Sequence, residues 1–242
     1  MTLPLLSRAI LWLIVLVIAL LNIGSFFLGP FDPQRAGRIK KIAQLPQSAL
    51  LVLFAAIVAL NSASDGNFAT LAVLVLCGML VGFVGDLFMA NVFHQKDHVL
   101  FGMAAFGIGH LCYVLAFREI AVRFGLSDPS YYVLPEIVLC LLGVVLWAQL
   151  VRKPGGSQRQ YVALLYALFL SGMAGYSLGL ALQQPAFLPL ALGATLFVVS
   201  DTLIAAQLFA ERSFPFVGDV VWVTYIVAQI LIVSVVPISM SQ

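Results

Sequence analysis

The amino-acid sequence predicts an all-α, polytopic membrane bundle of eight transmembrane helices, on three grounds. Of 242 residues, 62% are hydrophobic and only 9% are Asp, Glu, Lys or Arg, whereas soluble domains carry roughly a quarter charged residues. The mean hydropathy of +1.09 extends along the whole chain instead of marking one buried core. The apolar residues also fall into separate runs, each near the roughly 20 residues that a spanning helix needs. This composition excludes an ordinary soluble enzyme, and equally a disordered chain, which is poor in apolar residues. A net charge of +2 gives no footing for a nucleic-acid partner. The cysteines, Cys77, Cys112 and Cys140, lie inside apolar runs and are odd in number, so no disulfide framework is implied.

With polar residues, Pro and Gly as borders, the runs lie at about 9–29, 45–61, 67–91, 99–120, 132–151, 161–183, 186–210 and 219–239. The first is too long for a signal-peptide core and lacks a convincing small-residue cleavage site, so it reads as a retained helix. The second is the shortest. The third and fourth carry Asp86 and His110, and the seventh carries Asp201. The sixth and seventh are separated only by Gln183-Gln184-Pro185, which predicts a tight turn. The eighth brings in Tyr225 and Gln229. Residues 1–242 thus read as a single eight-helix transmembrane domain, with nothing left over for a separate soluble one.

Orientation follows from Lys and Arg in the short loops. Eight spans put both termini on one side, together with Arg8, Arg118 and Arg123. The other side holds Arg35, Arg38, Lys40, Lys41, Lys96, Arg152, Lys153, Arg159 and Arg212. Nine against three places the second set in the cytoplasm and the termini outside it.

Three ionisable residues fall inside spans. An Asp at the centre of a membrane helix costs about 3 kcal/mol on insertion scales, so it is retained where it faces a cavity, a partner or an ion path. With a rise of about 1.5 Å per residue, Asp86 is expected roughly 8 Å from the cytoplasmic end of its helix, and Asp201 and His110 roughly 15 Å from theirs. Tyr225 and Gln229 enter from the same side, and Tyr113 follows His110 by one turn. A polar pocket opening toward the cytoplasmic leaflet accounts for these residues together. The bland alternatives are that each Asp merely bonds a neighbouring helix and that His110 satisfies a core contact. Tyr113, Tyr225 and Gln229 read as supporting hydrogen-bonders. Gly78, Gly82 and Gly85, like Ser171, Gly175 and Gly179, have the spacing of close helix packing. His110 follows Asp86 by 24 positions and Tyr225 follows Asp201 by 24, a pattern that a four-helix unit duplicated in parallel would leave. Such a duplication would bring the two aspartates together near a pseudo-two-fold axis.

The segments Gly78-Met-Leu-Val-Gly-Phe-Val-Gly-Asp86 and Gly102-Met-Ala-Ala-Phe-Gly-Ile-Gly-His110-Leu-Cys-Tyr113 are followed by Gly193-Ala-Thr-Leu-Phe-Val-Val-Ser-Asp201 and Thr224-Tyr225-Ile-Val-Ala-Gln229. In these residues the sequence resembles the YhhN-like family of integral membrane proteins, whose characterised members are lysoplasmalogenases. The resemblance implies hydrolysis of the vinyl-ether bond of a lysoplasmalogen, giving a fatty aldehyde and glycerophosphocholine or glycerophosphoethanolamine. It implies Asp86 and Asp201 as the catalytic pair, with His110 as a further motif residue. If the source is a bacterium, it also implies the inner membrane. The family tends to open its second helix with a Lys-Pro pair. Here Lys40 and Lys41 are instead followed by Ile-Ala-Gln-Leu-Pro46.

The chemistry suits these residues. Protonation of the β-carbon of a vinyl ether gives an oxocarbenium ion, water adds to the α-carbon, and the hemiacetal collapses. A proton donor, a negative charge near the cation and a placed water are needed, as in glycosidases. Two carboxyls in unlike surroundings divide these tasks. Asp201 is the preferred acid, being deeper, and Asp86 the preferred base. The reading calls for no cofactor and no metal. Its partners are a lysophospholipid substrate and membrane lipids, with Lys40, Lys41 and Arg38 as candidates to meet the phosphate. Two other classes remain open. Asp86, His110 and Asp201 suit a metal-dependent membrane lipid hydrolase by ligand type. A proton-coupled small-molecule transporter would use the aspartates as a relay.

Overall fold

α1 (Leu5–Leu28) stops at Gly29, whose backbone is extended and whose N–H bonds back to Ser25. A Cβ there would meet the carbonyl oxygens of Ser25 at 2.4 Å and Arg38 at 2.6 Å, so the chain passes itself too closely for any other residue. The computed structural model describes residues 3–33, 36–63, 66, 68–156 and 158–242. Arg35 and the side chain of Lys41 lie outside the described residues. The remaining helices are α2 (Lys41–Ser62), α3 (Ala69–Met89), α4 (His98–Arg123), α5 (Ser130–Leu150), α6 (Arg159–Gln183), α7 (Leu188–Leu208), α8 (Val217–Val233) and α9 (Val235–Ser241).

Among the described residues, eight helices are long and apolar enough to cross a membrane, which makes this an all-α, multi-pass membrane protein. The last crossing is α8 and α9 together. They are divided at Ser234 because Pro237 has no N–H for the carbonyl four residues back and its ring crowds that carbonyl. The turn at Gln183-Gln184-Pro185 is as tight as its sequence predicts: Gln184 is extended, and Pro185–Phe187 form one 3₁₀ turn leading into α7. Two borders differ from the sequence expectation. α1 begins at Leu5 because a lone Arg8 does not interrupt it. α3 ends at Met89 and not near residue 91, because the chain turns through Ala90 and the left-handed Asn91 (φ 56°).

The helices α2, α3, α4, α6, α7 and α8 touch in that order and close on themselves, α8 meeting α2. α1 rests outside on α2 and α8, and α5 rests outside on α6. Their burial says the same: 17% of the α1 span and 6% of the α5 span lie inside the protein, against 39–50% for the others. Each half of the chain therefore supplies one outer helix followed by three ring helices.

Small residues set the approach of paired helices, since membrane helices gain little from apolar burial and much from close packing. Gly78 of α3 lies under the ring of Tyr113, where a Cβ would stand 2.3 Å from Cε1, and Gly179 of α6 lies under Tyr132 at 2.4 Å. Gly78→Ala is expected to destabilise the fold by about 1–3 kcal/mol through overpacking. This is read as a lowered thermal midpoint in detergent. Gly172→Ala, with open space around the same atom, is expected to leave the midpoint in place.

Candidate active site

The two aspartates are held by hydroxyls delivered from neighbouring helices. Asp86, 8% exposed in the last turn of α3, accepts the Ser48 hydroxyl of α2 at 2.5 Å and the Tyr225 hydroxyl of α8 at 2.8 Å, both on Oδ2. Gln229, one turn beyond Tyr225 and on the same face, donates its amide to the Tyr225 oxygen at 3.2 Å. The Tyr113 hydroxyl donates to Gln229 Oε1 at 3.0 Å and lies 2.8 Å from Met79 Sδ. Tyr113, Tyr225 and Gln229, singled out in the sequence as supporting groups, thus form one chain of hydrogen bonds ending on Asp86. Burying so many polar groups is tolerable because each finds a partner.

Asp201 of α7 accepts the hydroxyl of Tyr166 from α6. His110, 1% exposed, stands behind that tyrosine with Nε2 3.2 Å from its oxygen, and its ring meets Phe197 edge-on at 4.8 Å. Since the tyrosine proton points at Asp201, the network assigns the His110 proton to Nε2, leaving Nδ1 without a partner among the described residues. His110 therefore reaches Asp201 only through Tyr166. The equal spacings map onto a crossed pattern: α8 of the second half supports Asp86, and α4 of the first half backs the support of Asp201.

Both aspartates line one cavity of about 270 Å³, among Gln44, Gln207, Trp222 and Tyr225. Remote parts of the chain are thereby brought to one hollow. A second, apolar cavity of about 110 Å³ runs between α4, α5, α6 and α7. The two share Met89, Phe106, Asp201, Ile204 and Leu208. Among the described residues, no three His, Cys, Asp or Glu side chains converge as metal ligands.

The depths need correction. Asp86 is three residues from the end of α3 and Asp201 seven from the end of α7, roughly 4.5 Å and 10 Å. The expected values were 8 Å and 15 Å, and the helices ending sooner accounts for the difference. His110, twelve residues into α4, is deeper than expected, at roughly 18 Å. Lys40 is exposed at the start of α2, one turn before the cavity residue Gln44, and is not part of the cavity wall. The Arg38 guanidinium sits 5.8 Å from the ring centroids of Phe26 and of Phe216.

Several participants gave no signal in the sequence. Ser48 and Tyr166 are ordinary helix residues until the fold places them against the aspartates. One regularity was available: Ser48 precedes Asp86 by 38 positions and Tyr166 precedes Asp201 by 35, each from the helix before. Gln47 accepts the indole N–H of the cavity residue Trp222 at 3.1 Å and an Asn22 amide N–H at 2.6 Å. Asp219, at the start of α8, accepts the backbone N–H groups of Arg38 and Ile39 at 2.7–2.8 Å, pinning the α1–α2 connection beside the cavity. Gly37 makes room for it, since a Cβ there would lie 2.9 Å from Asp219 Oδ1.

The family model described as the YhhN family matches residues 44–236, a stretch holding both aspartates and every hydroxyl that supports them. Neither a curated protein nor a solved structure matches the chain.

Proposed function

The chain belongs to the YhhN family, and from that membership we propose that it hydrolyses the vinyl-ether bond of lysoplasmalogens, releasing a fatty aldehyde and the glycerophospho-headgroup. The observation that carries this reading is the pair of carboxyls lining a single cavity between membrane helices. An amphiphile whose reactive bond lies just below its headgroup reaches such a cavity without leaving the bilayer.

Asp86 and Asp201 are the catalytic residues in this reading. One carboxyl gives a proton to the alkene carbon and the other, ionised, steadies the oxocarbenium ion and takes a proton from the attacking water. Ser48 and Tyr225 fix Asp86 through Oδ2, so Oδ1 is the oxygen left to face water. Tyr166 fixes Asp201, backed by His110. These neighbours act by orientation, which matters because small displacements of a reacting group cost large factors in rate. A serine nucleophile is unnecessary, since the bond is not an ester.

The excess of Lys and Arg in the loops on one side supports a cavity mouth toward the cytoplasmic leaflet, with the termini on the other side. Lys40, one turn from Gln44, is the described basic side chain best placed to meet the substrate phosphate. The test is aldehyde release by the purified protein from a lysoplasmalogen and from the matching ester lysolipid. Cleavage of the first alone is expected. Equal cleavage of both, or of neither, overturns the reading.

A further inference from the structure

We propose that the apolar cavity between α5 and α7 takes the alkenyl chain of the substrate, sets the chain lengths that are cleaved, and thereby makes Asp201 the proton donor. This rests on the vinyl-ether reading of the polar cavity.

The walls are Leu146, Trp147 and Leu150 of α5, Leu170 of α6, and Val198 and Ala205 of α7, a surface suited to hydrocarbon. The cavity adjoins the polar one along five shared lining residues, and Asp201 is the one ionisable residue among them. Asp86 lines the polar cavity alone. α5 is the outer helix, with 6% of its span buried, and it rests on α6 with only light contact to α7. The chain site is therefore walled by the helix nearest the lipid, and an alkyl chain enters sideways from the bilayer. Gly143, also on its wall, is where α5 approaches α6 closely, since a Cβ there would stand 2.5 Å from Ser171 Oγ.

Occupancy fixes the substrate's direction. With the chain in the apolar cavity and the glycerophosphate in the polar one, the β-carbon, on the chain side of the alkene, lies at Asp201. The α-carbon and ether oxygen lie toward Asp86. The Asp201 carboxyl gives its proton to the β-carbon as the alkene electron pair forms the new C–H bond. Water adds to the α-carbon as Asp86 takes one of its protons. The hemiacetal then collapses: Asp201 takes back the hydroxyl proton, the C–O bond to glycerol breaks, and Asp86 protonates the departing oxygen. Both carboxyls end as they began.

The test uses the full chain in nanodiscs with lysoplasmalogens of 8-, 12- and 18-carbon alkenyl chains. Leu146→Trp fills the cavity and is expected to lower the ratio of kcat/KM for the 18-carbon over the 8-carbon substrate by on the order of tenfold. Leu146→Ala enlarges it and is expected to shift the ratio the other way, which serves if the tryptophan variant does not fold. Unchanged ratios in folded variants overturn the proposal. A lysolipid with a saturated ether bond and a terminal diazirine gives a readout independent of turnover. On photolysis it is expected to label residues 143–151 and 163–171, which line the apolar cavity alone, and labelling confined to α1 or to the polar cavity overturns the chain site. Labelling as expected, with no aldehyde released at any chain length, would support the chain site while sinking the vinyl-ether reading beneath it.

Discussion

Asp86→Asn and Asp201→Asn are each expected to lower the proposed vinyl-ether turnover by about 10²- to 10⁴-fold, the range that positioned proton transfer contributes. The amide is nearly the same size as the carboxyl and keeps an oxygen for the hydroxyls of Ser48 and Tyr225, or of Tyr166. The folded protein is accordingly expected to survive, with an unchanged elution volume and a thermal midpoint close to that of the parent. What disappears is the ability to give or take a proton. In the proposed mechanism the two carboxyls serve one reaction, so their losses are expected not to add: the double variant is expected to retain about the activity of either single one. Full turnover in either asparagine variant would remove that carboxyl from the chemistry. Two independent, additive losses would mean that the groups act on separate steps or in separate places.

The membrane spans were legible because they depend on a property summed over about 20 residues, which tolerates a stray Arg8 or Pro46. Their borders were less so, because the end of α3 depends on one left-handed asparagine, a local event that hydropathy does not register. The aspartates stood out for an energetic reason: a carboxyl in a greasy helix demands compensation. Tyr113, Tyr225 and Gln229 were legible by depth and register, being near the right level on their helices. Ser48 and Tyr166 were not, since a serine or tyrosine in a membrane helix can be satisfied by its own backbone or by the interface. Nothing local tells which one faces an aspartate on another helix. His110 shows the same limit from the other side. Its place among the motif residues was visible, yet whether it touches the cavity or stands one side chain behind it depends on the α4–α6 contact, which only the fold supplies.

Run in deuterated water, the reaction is expected to place one deuterium on the aldehyde carbon next to the carbonyl, fixed by immediate reduction to the alcohol before further exchange. The β-carbon has a single hydrogen in the substrate and receives one proton from a carboxyl that has equilibrated with solvent, so one deuterium, neither none nor two, follows from carbon protonation. In water enriched in ¹⁸O, the glycerol hydroxyl is expected to keep its ordinary oxygen, since the bond that breaks joins that oxygen to the former alkene carbon. The pairing is what discriminates. Attack at the glycerol carbon would also release an enol that acquires solvent deuterium on becoming the aldehyde, but it would leave ¹⁸O on the glycerol. Oxidative cleavage of the alkene would shorten the aldehyde. Carbon protonation is also the slow step of vinyl-ether hydrolysis, so turnover is expected to fall in deuterated water. A glycerol product carrying ¹⁸O would mean that the carboxyls of Asp86 and Asp201 activate water against saturated carbon, a different use of the same cavity.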